Sequence, residues 1–78
     1  MKLTINEINT VHYLKGNYEE SQLKDIKCYI LDKLQDGNKV MLNLDALEDT
    51  DHQVVYMIQR LRKALVNRRQ LQYTKVAA

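Results

Sequence analysis

Four carboxylates, Asp45, Glu48, Asp49 and Asp51, fall within seven residues in the stretch LNLDALEDTDHQVVYMIQRLRKAL, and no acid follows them in the chain. Paired carboxylates can divide acid and base roles when their surroundings push their pKa values apart. Nothing else in the sequence assists such chemistry. There is no glycine-rich phosphate loop and no nucleophile with a recognisable base beside it, and 78 residues leave little room for a deep pocket. A metal nest is the second arrangement these residues suggest, with Asp45, Asp49 and His52 as oxygen and imidazole ligands from one loop. The spacing lacks the alternating Asp/Asn ligands, the turn glycine and the distant bidentate Glu of a calcium hand. A transition metal would want a further His or Cys nearby. A third arrangement needs no ligand, because acids are favoured at a helix N-terminus. The expectation is therefore a helix entrance on a non-catalytic protein, with no metal and no cofactor. The same helix dipole disfavours a charged His52, and His12, in a strand, is expected to be an ordinary, partly exposed residue.

The elements that must position these residues can be read from periodicity. In KLTINEINTVHYLK, Leu3 and Ile5 alternate with polar neighbours and Val11 to Leu14 is rich in strand formers. The polar group Glu7 to Thr10 suits the turn of an opening hairpin. Gly16 and Asn17 punctuate the chain, and Asn17 with Glu20, or Ser21 as a later start, is a candidate cap for a helix. Leu23, Ile26, Ile30 and Leu34 then follow three-and-four spacing, which predicts one buried stripe, and Gly37 predicts a stop near Gln35. Lys39 to Leu44, KVMLNL, reads as a central strand with little exposure on either face. Thr50 followed by Gln53 matches a capping box. Val54, Ile58, Leu61 and Leu65 form the stripe of a second helix, with Asn67 as its stop. Gln70 to Val76 alternates as a closing strand. The order β-β-α-β-α-β predicts one small α/β domain with a mixed sheet, in which helices join parallel neighbours and the hairpin is antiparallel.

Composition bounds the partners. A domain this small buries only about 60% of the surface its unfolded chain would expose, and with no Trp or Phe its core rests on aliphatic residues and tyrosines. A single cysteine, Cys28, forms no intrachain disulfide and fits a reducing cytoplasm. The start MKLTINEI lacks the pattern of a secretory signal, and the longest apolar run, Val54 to Ile58, is too short to span a membrane. Charge is uneven: residues 1–51 sum to −4 and residues 52–78 to +6. Helix electrostatics accounts for this polarity. The alternative is a basic docking face of Arg60, Arg62, Lys63, Arg68 and Arg69 with Lys75. Such a face would suit nucleic acid if Tyr73 stacked on a base, although the net charge of +2 gives that reading little weight.

KVMLNLDALEDTDHQVVYMIQRLRKAL also resembles the core of STAS domains, the sulphate-transporter and anti-sigma-factor-antagonist group. In that family an apolar strand leads through a short loop to D-S-S-G or D-T-x-G and then to an apolar helix. The likeness is ungapped from Val40 to about Lys63, and the earlier order of hairpin, Gly16, amphipathic helix and Asp36-Gly37 turn follows the same plan. By position, the resemblance puts Asp51 on the family's aspartate and His52 on the Ser or Thr that a partner kinase phosphorylates. Gln53 and Val54 fall on the small residue and glycine that follow. The acceptor hydroxyl is absent here. The resemblance implies a bacterial, cytoplasmic, regulatory interaction module resembling anti-sigma-factor antagonists, with a protein partner at Thr50, Asp51, His52 and Gln53. Its alternative is a small structural subunit of a larger assembly such as a lipid-transport complex. STAS domains usually continue past the strand matching Gln70 to Val76 into another helix, whereas this chain stops at Ala78, so a homodimer or an exchanged strand is a further expectation.

Overall fold

The computed structural model describes residues 2–75. The hairpin forms as expected from β1 (Thr4–Ile8) and β2 (Val11–Asn17), with Ile8 opposite Val11. Pairing this close to the tip narrows the turn to Asn9 and Thr10, both left-handed at φ 51° and 68°, the backbone that suits the twist of a two-residue hairpin. Asn tolerates that region, while the β-branched Thr10 pays for it.

The first helix, α1 (Leu23–Gln35), begins later than Asn17 or Ser21 and is preceded by a single 3-10 turn, Glu20–Gln22. Asn17 is not available as a cap because it ends β2, paired beside Glu48, and the Tyr18 amide donates to the Glu48 carbonyl at 2.9 Å. The 3-10 turn is closed by Gln22, whose side-chain oxygen accepts from the Glu19 amide at 3.1 Å. The helix ends at Gln35, as expected. Gly37 takes φ 76° and its amide donates to the Leu34 carbonyl at 3.0 Å.

The third strand, β3 (Val40–Glu48), runs four residues beyond the expected end at Leu44. Val40, Leu42 and Leu44 are buried on alternate positions, but the next buried side chain is Leu47. An extra residue shifts the phase: Tyr13 pairs with Asn43, whereas Lys15 pairs with Ala46. This is a bulge, and the Asn43 side-chain oxygen accepts from the Asp45 amide within it at 3.0 Å. Strict alternation cannot see past such a break. The second helix, α2 (Gln53–Ala64), buries Val54, Met57 and Ile58. It stops before Asn67, which instead caps a 3-10 turn at Arg68–Gln70 by accepting from the Arg69 amide at 3.0 Å. The closing strand, β4 (Leu71–Thr74), is shorter than expected, and Val76 lies outside the described residues.

The sheet order is β1-β2-β3-β4, with the hairpin antiparallel and the other two pairings parallel. The expected mixed sheet and element order are present. Both helices pack on one face, since α1 touches α2 and β3 while α2 touches β4. No described element covers the opposite face, where Val11, Tyr13, Met41 and Asn43 are half-buried only by neighbouring strands and Ile8 is 57% exposed. The central strand is thus sealed on one side rather than two.

His12 departs from expectation. It lies on the covered side of β2, only 3% exposed, with Nδ1 2.7 Å from the Tyr29 hydroxyl and the two rings edge-on. Burial lowers its pKa below the usual histidine value and outweighs the Glu7 carboxylate, which acts to raise it; Lys33 adds to the lowering. The fold therefore prefers the neutral ring. With an unfolded pKa of about 6.5, this contribution to stability is complete above that value and is lost as pH falls from it toward the lower folded pKa. The urea midpoint should drop between about pH 7 and pH 5.5 more steeply for the parent than for His12→Gln, which keeps a hydrogen-bonding group but has no proton to gain. Parallel pH profiles for the two proteins would contradict the assignment.

Candidate functional site at the entrance of the second helix

The carboxyl ends of parallel strands, and the helix N-termini that follow them, are where open α/β sheets place ligands. Here that edge holds the connection from β3 to α2. The capping box expected from Thr50 and Gln53 does not form. His52 occupies the N-cap position in the left-handed region, φ 56°, with no side-chain cap bond of its own. The cap comes from Asp49, only 6% exposed, whose Oδ2 accepts from the Val54 amide at 2.7 Å. The His52 amide donates to the Asp49 carbonyl at 3.0 Å, and the Tyr56 amide to the His52 carbonyl at 3.0 Å. Gln53 points away from Thr50 because its Oε1 accepts from the Tyr18 hydroxyl at 2.7 Å. That hydroxyl is held above its ordinary pKa by burial first, then by the carboxylates of Asp49 and Glu20.

Around this cap lies an open cleft of about 370 Å³ lined by Tyr18, Glu20, Glu48, Asp49 and Asp51 among others. Thr50 and Asp51 line it and are exposed, and Gln53 is half-buried, while His52 is exposed on the same turn but does not line the cleft. Three of the four clustered acids thus meet in one place, while Asp45 sits on the β3 bulge. Glu20 and Tyr18 were not singled out for this edge by the sequence. The available signal was topological: once β2 and β3 are parallel neighbours, the residues after β2 must stand beside those after β3. Asp49 answers the positive end of α2. Glu20, Glu48 and Asp51 leave the mouth of the cleft negative, which suits a cationic group on a partner.

Asp45, Asp49 and His52 do not converge as ligands. Among the described residues no three His, Cys, Asp or Glu side chains are placed to share a metal ion, and His52 Nδ1 instead lies 3.5 Å from Lys75 Nζ. The basic residues do not form one face either. Arg62, Lys63 and Arg68 surround a small cleft with Gln59, whereas Arg60 lines a groove beside α1 and Lys75 returns to the α2 entrance. Arg62 Nε is buried there without a hydrogen-bond partner among the described residues. Arg69 is exposed on the 3-10 turn. Tyr73 is not presented for base stacking, because its ring packs against the core and its hydroxyl accepts from Gln59 Nε2 at 3.1 Å.

No family model, curated protein or solved structure matches the chain. No helix among the described residues is long and apolar enough to cross a membrane.

Proposed function

We propose that the chain is a non-catalytic protein-interaction module of STAS type, which meets its partner at the entrance of α2. The observation that supports this is the construction of that entrance. Thr50, Asp51 and His52 stand exposed at the carboxyl edge of the parallel strands, on a turn fixed from within by the buried Asp49 carboxylate. A turn braced from within loses little entropy when a partner docks. The β-β-α-β-α-β order of elements is compatible with the order that the resemblance implies. In this reading His52 stands where the family carries a phosphate-accepting hydroxyl, so docking is constitutive rather than switched by phosphorylation.

Thr50→Arg is the cleanest probe, because Thr50 is exposed whereas replacing Gln53 would also break its bond to Tyr18. It adds bulk and positive charge to the acidic mouth. The experiment is capture from an extract of the source cells by the immobilised chain, compared with Thr50→Arg and with an Arg68→Glu, Arg69→Glu double variant. The expected result is a partner retained by the parent and the double variant and weakened about tenfold or more by Thr50→Arg. A partner kept by Thr50→Arg but lost by the double variant would move the docking face to the basic end. A parent that retains nothing above background would remove the reading.

A further inference from the structure

A second surface, which shares only Glu20 with the lining of the cleft at the α2 entrance, runs between the helices. Leu23 from α1 and Met57 and Leu61 from α2 floor an open groove of about 810 Å³, more than twice the volume of the acidic cleft. Leu23 and Leu61 pack against the core but are only half-buried, which leaves part of each side chain exposed to the groove. Lys24 and Lys27 on one wall and Arg60 on the other are exposed, and Glu20 at one end is the acid that lines the groove. None of these three cations has an ion-pair partner among the described residues, where the ion pair found is Lys33 with Glu7. An apolar floor between unpaired cations is the complement of a helix with one apolar stripe and acidic flanks.

We infer that the groove between α1 and α2 is a docking site for an acidic amphipathic helix of a partner protein. Its length favours a helix. Met57 to Ala64 spans roughly 10 Å at 1.5 Å per residue, enough for apolar anchors at i, i+3 or i+4, and i+7. Its concave shape, walled by two helices, accepts a side-chain ridge rather than a flat lipid surface. A second copy of this chain is a poorer occupant, since α2 carries no acid and the acids of α1 are balanced by lysines. The contact is small, so binding belongs to the weak end of protein association.

The test is a titration of the full chain, followed by the methyl NMR signals of Leu23, Met57 and Leu61, with a synthetic helical peptide. The probe is roughly 15 residues long, with leucine at three-and-four spacing and glutamate elsewhere. Its control carries lysine in place of glutamate. The expected result is saturable shifts of those methyls by the acidic peptide, none by the lysine peptide, and weakening about tenfold or more in a Lys27→Glu, Arg60→Glu variant. Both positions are exposed, and an unchanged spectrum elsewhere verifies that the variant is folded. Thr50→Arg should leave the titration unchanged, so this assignment and the α2 entrance fail or stand separately. The inference is overturned by no shift up to about 1 mM peptide, by equal binding of the lysine peptide, or by indifference to the charge reversal. It is also overturned if vesicles containing phosphatidylglycerol perturb the same methyls while the peptide does not, or if dilution of the chain alone moves them.

Discussion

Leu42→Ala should unfold a large part of the population at growth temperature, while Met41→Ala, one residue away, leaves the melting curve close to that of the parent. Leu42 is fully buried under the helices at the middle of the central strand, and truncating such a side chain costs about 2 to 5 kcal/mol through lost transfer energy and the cavity left behind. A domain of this size has roughly 4 to 12 kcal/mol of total stability, so one substitution removes a major share. The midpoint should fall by about 8 °C or more. Met41 points to the uncovered face and is half-buried, so its truncation should cost below about 1.5 kcal/mol. Thermal unfolding followed by circular dichroism compares the two directly. Equal losses would mean that the second face of β3 is covered after all, by another copy or by a segment packed across it.

Asp49→Ala should cost about 1.5 to 3 kcal/mol, whereas Thr50→Ala stays within about 0.5 kcal/mol of the parent. The difference follows from which side chain caps α2. Removing the Asp49 carboxylate leaves the Val54 amide buried without its acceptor and takes a negative charge from the positive end of the helix. Removing the Thr50 hydroxyl takes nothing from the helix. Urea denaturation gives the stabilities, and hydrogen exchange at the Val54 amide reports the cap itself, with faster exchange expected in Asp49→Ala alone. A larger loss from Thr50→Ala would restore the capping box read from the Thr50-to-Gln53 spacing. The same pair bears on function, because the exposed rim of the α2 entrance is rigid only while Asp49 holds the turn beneath it.

The comparison of these two residues shows where a local pattern stops being sufficient. Thr50 and Gln53 have the spacing of a capping box, but Tyr18 arrives from the end of β2 and takes the Gln53 side chain, and the reciprocal bond is lost. His12 shows the same limit in a strand. Its sequence neighbours do not reveal that Tyr29 stands above it on α1, so a residue expected to be partly exposed is buried.

What the sequence by itself determined are the features set by short-range geometry. The Leu23, Ile26, Ile30 and Leu34 stripe and the Val54, Ile58, Leu61 and Leu65 stripe require helices with one buried face, although Leu65 falls just past the end of α2, and Gly37 ends α1 because it accepts a positive φ without steric cost. The order of elements then follows. What only the tertiary structure decided are the features that depend on which strands lie side by side. Parallel pairing of β2 with β3 displaced the start of α1, extended β3 through a bulge to Glu48, and brought Tyr18 and Glu20 against Asp49 and Asp51. It also divided the basic residues between a groove, a small cleft and the α2 entrance. The physical reason is one of range: a helix stripe or a glycine stop is satisfied within a few residues of chain, whereas a cap, a buried ring or a cleft is completed by atoms from elements distant in sequence.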